Sequence, residues 1–189
     1  MNAPLDLRMD KATFLHWMQT QRRRYELIEG RVVMQDTGTR GHSSIGLALY
    51  DISRPRLDRM AWTVHVGQPS VEIGDDVRVA DVMVEPAGLA REAVPSDKPV
   101  LLVEVVSPSS TGQDFDTKRL LYQSPATLEA YIIASQDEPR LWIWQRTGDG
   151  ARDFPETAVE IENRDRQVHL RHLNMIFTLG EIYGHVFPG

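Results

Sequence analysis

Short apolar segments separated by polar turns run through most of the chain and predict a protein rich in β-strands. Segments that carry valine, isoleucine, leucine and tryptophan between turn residues are typical of strands with at least one buried face. The predicted strands are residues 61–67, 70–74, 78–85, 99–107, 128–135 and 140–146. A first hairpin covers residues 25–36 with its turn at Glu29 and Gly30, and a last hairpin joins residues 157–163 to 167–173.

Three other segments carry apolar residues at helical spacing. Residues 10–20 form a short predicted helix that Asp10 or Thr13 can cap. Residues 42–50 are helical in character, and Pro55 limits how far this second helix continues. Residues 111–124 form the third predicted helix, directly after a buried strand.

This order of elements, without an internal repeat or a low-complexity linker, predicts a single α/β domain over residues 1–189 with a mixed central sheet. No apolar run approaches the ~20 residues that a membrane-spanning helix needs. The N-terminal residues lack the pattern of a secretory signal. The chain has no cysteine, which excludes disulfides and thiolate zinc sites. We therefore expect a cytoplasmic protein without a membrane partner.

The net charge of -6 argues against a protein that coats nucleic acid nonspecifically, because such a protein would be basic. It does not exclude a metal-dependent nuclease, which carries an acidic site and needs only a local basic surface. Two arginine runs could supply that surface or could simply be solvated faces. They are Arg22, Arg23 and Arg24, and Arg54, Arg56 and Arg59.

Three carboxylates fall inside predicted strands, where acidic residues are poorly suited. Glu104 lies between Val103 and Val105 in the strand 99–107, and Asp81 and Glu26 occupy similar apolar segments. Burying an unpaired carboxylate costs several kcal/mol or forces the group to take up a proton. Each carboxylate could instead face solvent from an edge strand or pair with an arginine.

A divalent cation would remove the repulsion between these carboxylates if they converged. Oxygen ligands favour a hard ion such as Mg²⁺ or Mn²⁺. The helix after Glu104 supports such a site, because Asp114, Lys118 and Tyr122 are spaced by four residues and share one face. A lysine there could orient an attacking water or neutralise charge on a phosphoryl group. Asp114 and Lys118 could also form an ordinary exposed ion pair.

The chain also resembles the Uma family, which belongs to the PD-(D/E)XK superfamily of nucleases. The motif VEVVSPSS, followed by an aspartate, a lysine and a tyrosine at four-residue intervals, resembles the family pattern. The segments YELIEGRVV, GHSSI, VADVMV and EAYIIAS match further family elements in the same order. The resemblance covers roughly residues 10–146 and implies a restriction-endonuclease-like fold, in which helices flank a mixed central sheet.

The resemblance also implies roles for individual residues. Asp81 and Glu104 match metal ligands, together with the main-chain carbonyl of Val105. Lys118 matches a catalytic lysine supplied from a helix. Glu26 matches an additional acidic residue, and His42 matches a family histidine whose role is open. Asp114 and Tyr122 are possible accessory residues.

One residue and one segment depart from the family pattern, and both departures affect packing more than chemistry. Ala80 replaces the proline before the metal-binding aspartate, and EAYIIAS lacks the usual tryptophan and aspartate. The resemblance therefore implies a competent endonuclease that cleaves DNA with Mg²⁺ or Mn²⁺, as a homodimer suited to cutting two antiparallel strands. Two alternatives stay open: a non-cleaving module that binds nucleic acid or protein, and a metal-dependent hydrolase with another substrate.

Overall fold

The structure is a computed structural model that describes residues 4–35, 38–67, 69–89, 95–107, 119–147 and 153–187. Residues 119–122 are also helical. The described helices and strands are β1 Pro4–Arg8, α1 Lys11–Met18, β2 Tyr25–Ile28, β3 Arg31–Met34, α2 Arg40–Arg56, β4 Trp62–Val66, β5 Ser70–Ile73, β6 Asp76–Val79, β7 Val82–Pro86, β8 Leu101–Val106, β9 Ala130–Ser135, β10 Leu141–Gln145, β11 Val159–Ile161, β12 Gln167–Leu170, β13 Met175–Thr178 and α3 Leu179–Tyr183.

A six-stranded sheet forms the centre of the fold, with the strand order β11-β10-β9-β8-β7-β4. Strands β8 and β9 pair in parallel, whereas the other neighbours in this sheet pair antiparallel. The predicted mixed central sheet is therefore confirmed, and so is the mixed α/β class. The connection between β8 and β9 includes the helical residues 119–122, as a parallel pair requires a crossover.

A second sheet of five antiparallel strands has the order β1-β3-β2-β6-β5. The predicted first hairpin is confirmed as β2 and β3. Its turn residues Glu29 and Gly30 have φ values of 49° and 74°, the left-handed conformation that two-residue hairpins favour. Helix α1 covers this sheet with Phe14, and Asp10 caps the helix as predicted by accepting from the Thr13 N–H at 2.8 Å.

The predicted strand 78–85 is wrong, because the chain changes sheets in its middle. Strand β6 ends at Val79 in the five-stranded sheet, and β7 begins at Val82 in the six-stranded sheet. Asp81 therefore lies in the link between two strands and not inside one. The sequence did not mark the break because both strands and Ala80 are buried, so the apolar run continues through the link.

The two faces of the six-stranded sheet carry different partners. One face of the sheet carries Val82 and Val103, and helix α2 packs Ile45 and Leu49 against it. Helix α3 and the β12–β13 hairpin cover the same face. On the opposite face, side chains of β7, β8 and β9 pack against Tyr122 and against β5 of the second sheet; they include Met83, Leu102, Tyr131 and Ile133. The second face holds the predicted acidic site.

Three further predictions about elements can be compared with the structure. Helix α2 is longer than predicted and contains Pro55 in its last turn. The predicted last hairpin is wrong, since β11 pairs with β10, and β12 pairs with β13. Of the third predicted helix, residues 119–122 are helical, and residues 111–118 lie outside the described part.

Among the described helices, none is long and apolar enough to span a membrane.

Candidate active site

Asp81 occupies the link between the two sheets and is bound to β8. Its N–H donates to the carbonyl of Val103 at 3.0 Å, which keeps the link alongside β8. Its Oδ2 accepts from the Val105 N–H at 2.7 Å, so the side chain serves as the acceptor for a main-chain donor. Oδ1 makes no hydrogen bond within the described residues.

Glu104 lies in the middle of β8 and is 8% exposed. Alternation along the strand places it on the same face as Leu102, over the cluster that contains Tyr122. The negative charge of Glu104 acts on the Tyr122 phenol in this cluster and helps to raise its pKa.

Tyr122 is fixed between the two sheets by stacking and hydrogen bonding. Its ring stacks on Tyr131 with centroids 5.4 Å apart and planes 7° apart, and Tyr131 stacks on Trp144 at 5.9 Å. The hydroxyl donates to the Val79 carbonyl at 3.1 Å. Burial, followed by the negative charges of Glu104 and Glu26, raises the pKa of Tyr122 well above its usual range. The phenol therefore keeps its proton and remains a donor.

His42 lies in the first turn of α2 and reaches Asp81 from the opposite side of the sheet. Thr39 caps the helix by accepting from the His42 N–H at 3.2 Å. The His42 Nε2 lies 3.1 Å from Asp81 Oδ2. The hydrogen bond with Asp81 raises the pKa of His42 above its ordinary value, burial opposes this, and the charges of Asp81 and Glu104 add to the increase. The contact with His42 therefore stabilises the side-chain orientation of Asp81 in which Oδ2 also accepts from the Val105 N–H.

Glu26 lies on β2 in the five-stranded sheet and is 7% exposed. Its Oε1 accepts from the Val79 N–H at 2.9 Å, which ties β2 to the end of β6 just before Asp81. Its charge also acts on Tyr122. The structure thus brings Glu26, Asp81 and Glu104 to one region where the two sheets meet, with Tyr122 and His42 between them.

The arrangement offers oxygen ligands to a divalent cation at Asp81 and Glu104. No group of three or more histidine, aspartate or glutamate side chains in the described ranges is arranged to hold a metal ion. The predicted ligand set needs two carboxylates and the Val105 carbonyl. Carboxylate and carbonyl oxygens are the ligand type that Mg²⁺ and Mn²⁺ prefer.

Two predicted residues, Asp114 and Lys118, lie outside the described residues. The sequence analysis also missed residues that position the site. Thr39 fixes the His42 turn, and its position before a helical segment was the available signal. Tyr131 and Trp144 support Tyr122, but no sequence pattern distinguishes them from ordinary core aromatics.

The fold and the position of this site place the chain in the class of restriction-endonuclease-like proteins. A crystal structure described as a putative nuclease, from Anabaena variabilis, matches with a TM-score of 0.69 and 14% identity. The match covers 95% of this chain and 99% of that chain.

The sequence comparisons give the family. The family described as Uma2, "Putative restriction endonuclease", matches residues 12–174, and the chain belongs to this family. An uncharacterized protein from Synechocystis is 24% identical over 182 residues, which is 90% of this chain and 88% of the relative. The predicted family resemblance, which covers residues 10–146 and continues toward the C-terminus, is therefore confirmed over residues 12–174.

Proposed function

We propose that the protein is a Mg²⁺- or Mn²⁺-dependent endonuclease that hydrolyses phosphodiester bonds in DNA. The main support is the placement of Asp81 and Glu104 where the two sheets meet, on a fold that resembles a nuclease. Two buried or half-buried carboxylates act on the same histidine, and a divalent cation would offset the repulsion between them. Membership of the Uma2 family supports the same reaction class.

In this proposal Asp81, Glu104 and the Val105 carbonyl hold the ion. The bound ion would lower the pKa of a water molecule and polarise the scissile phosphate. The Val105 N–H and His42 both engage Asp81 Oδ2, which leaves Oδ1 for the ion. This division of the carboxylate fixes its rotation before any ligand binds.

Tyr122 has a matching role at the second carboxylate. The charge of Glu104 acts on its protonated phenol, and its stacked ring limits movement of the hydroxyl. Glu26 joins β2 to the end of β6 and adds negative charge behind Tyr122. We assign Glu26 to the support of the site and not to the ligand set, because its Oε1 is bonded to the Val79 N–H.

Lys118 is the proposed catalytic lysine, by its match to the family motif and its place four residues before Tyr122. Its ammonium would stabilise negative charge that develops on the phosphoryl group. Asp114 stays an accessory candidate on the same predicted helix face. DNA as substrate and a homodimer belong to this proposal, because two-fold symmetry suits the cutting of two antiparallel strands.

A nicking assay tests the proposal directly. Supercoiled plasmid would be incubated with the protein in EDTA, Mg²⁺ or Mn²⁺, alongside Asp81→Asn, Glu104→Gln and Lys118→Ala. Asp165→Asn is the matched control, because Asp165 is exposed in a distant turn. We expect metal-dependent cleavage by the wild type and the control, and a loss of at least a hundredfold in the three site variants.

Two outcomes would contradict this assignment. Cleavage by Asp81→Asn at the wild-type rate would show that the metal site is elsewhere. Absence of cleavage by the wild type on plasmid, linear duplex and single-stranded DNA, with either metal, would favour the non-cleaving binding module.

A further inference from the structure

A cavity of about 420 Å³ opens beside Asp81 and extends away from the acidic site. Helix α2 forms one wall and the end of edge strand β4 forms the other. Its lining residues are Gly38, His42, Ser43, Gly46, Leu47, Val66, Gly67 and Asp81. The volume lies at the lower end of the range for small-molecule sites, about 300–1,000 Å³.

The chemistry of the cavity changes from one end to the other. Asp81 and His42 are its charged or titratable lining groups, and they lie at the end shared with the proposed metal site. Leu47 is 51% exposed and Val66 is 39% exposed, so apolar side chains face the solvent-filled part. Among the described residues, no lysine or arginine lines the cavity, so this part of the lining offers no cationic partner to a phosphate group.

Gly46 keeps the floor of this cavity open although packing does not require a glycine there. A Cβ at residue 46 would lie 3.9 Å from Val66 Cγ2 and 4.0 Å from Val82 Cγ2, which are ordinary contacts. Glycine is an unfavourable residue inside a helix compared with alanine. An alanine at residue 46 would therefore fit, and its methyl group would take up space next to Val66.

We propose that this cavity binds the nucleoside part of a nucleotide next to the scissile phosphate. A nucleobase has apolar faces that Leu47 and Val66 can contact. Its polar edge can donate to the Ser43 hydroxyl oxygen, whose own proton goes to the Thr39 carbonyl at 3.1 Å. The choice of a nucleotide rests on the proposed function. Because a base stacked in a duplex cannot enter such a cavity, the preferred substrate is single-stranded or locally opened nucleic acid.

Binding of free thymidine tests the cavity without metal or cleavage. Ligand-observed NMR in EDTA would measure thymidine binding to the wild type, to Leu47→Gln and to Leu7→Gln. Leu7 is a matched control, since it is 42% exposed on β1 and does not line the cavity. We expect affinity to fall at least threefold in Leu47→Gln and to stay unchanged in Leu7→Gln. Absence of binding at millimolar thymidine, or equal affinity in Leu47→Gln, would overturn the proposal.

A second variant tests the role of the glycine. Gly46→Ala should melt at the wild-type temperature or above it, while its affinity for thymidine falls. A lower melting temperature with unchanged affinity would show that Gly46 serves packing and would count against the cavity.

The outcomes separate this inference from the proposed function. Plasmid nicking without thymidine binding would contradict the nucleoside-binding cavity and support the nuclease activity. Thymidine binding that depends on Leu47, without nicking, would support the nucleoside-binding cavity and contradict the nuclease activity. With both present, a single-stranded oligonucleotide that lacks one base beside the cleavage position should be cut more slowly than the intact strand.

Discussion

Single side chains carry much of the organisation of the acidic site, and Tyr122 is the clearest case. Its hydroxyl donates to the Val79 carbonyl of one sheet, and its ring packs with Leu102 and Tyr131 of the other. Its ring is held by Tyr131 and is almost fully buried. The residue therefore joins the two sheets at the point where the proposed metal ligand lies.

Removing this hydroxyl should weaken both the fold and the site. We expect Tyr122→Phe to lower the free energy of unfolding by about 1–2 kcal/mol, because a buried carbonyl loses its donor. Urea denaturation would measure the change, and plasmid nicking should also fall. Tyr25→Phe is the control, since the Tyr25 hydroxyl makes no hydrogen bond in the described structure. Equal stability of Tyr122→Phe and the wild type would show that the hydroxyl is not used.

The charge on His42 should make stability depend on pH. Because the hydrogen bond with Asp81 raises the folded-state pKa of His42, the protonated ring favours the folded state. This contribution is complete below the unfolded pKa of about 6.5 and is lost as pH rises through the higher folded-state pKa.

His42→Gln keeps a donor near Asp81 but carries no charge. In EDTA, we expect the melting temperature of the wild type to exceed that of His42→Gln at acidic pH, and the difference to narrow as pH rises. Thermal melts from pH 5 to 8 would measure both proteins. A difference that is constant over this range would show that the charge of His42 does not contribute.

At the scale of elements, Ser96 joins the two sheets at a second point. Its Oγ donates to the buried carboxylate of Glu85 on β7, and His65 Nε2 lies 2.8 Å from the other oxygen of Glu85. The Ser96 main chain pairs with β5, donating to the Ser70 carbonyl at 3.0 Å and accepting from the Glu72 N–H at 2.8 Å. Ser96 is thus bound both to the Glu85 carboxylate and to β5.

Loss of the Ser96 hydroxyl should destabilise the contact between the sheets. We expect Ser96→Ala to reduce the free energy of unfolding by about 1–3 kcal/mol, since Glu85 would lose a donor while it remains buried. Chemical denaturation would measure the change. Ser44→Ala is the control, because Ser44 is an exposed residue of helix α2. Ser44→Ala should be neutral or slightly stabilising. Equal effects of the two substitutions would contradict a role for Ser96 in joining the sheets.

The elements also show what the sequence could and could not predict. The hairpin at Glu29 and Gly30 and the strand around Glu104 were predictable, because turn residues and continuous apolar runs have local causes. The change of sheet at Ala80 was not, because burial on both sides of the link hides it. At the site, Asp81 and Glu104 stood out as acidic residues in apolar segments. Thr39, three residues before His42, carries the local signal of a helix cap. The supports from Tyr131 and Trp144 depend on contacts between distant segments, which no local pattern carries.

For the whole molecule, metal binding should appear as added stability. A ligand that binds only the folded state stabilises it by about 2.7 kcal/mol at a concentration one hundred times its dissociation constant. We expect Mn²⁺ to raise the melting temperature by several degrees in the wild type and in Asp165→Asn, but not in Asp81→Asn. Thermal melts over a Mn²⁺ titration would measure the shift. An equal shift in Asp81→Asn would place the bound ion elsewhere.

The link at Asp81 also has a consequence for the protein while it is being synthesised. Asp81 is translated before Glu104, and Tyr122 follows later still. Before β8 is complete, a nascent chain has Asp81 without the strand that fixes it and without the second carboxylate. The proposed centre therefore cannot assemble until β8 and Tyr122 have been synthesised and the two sheets have met.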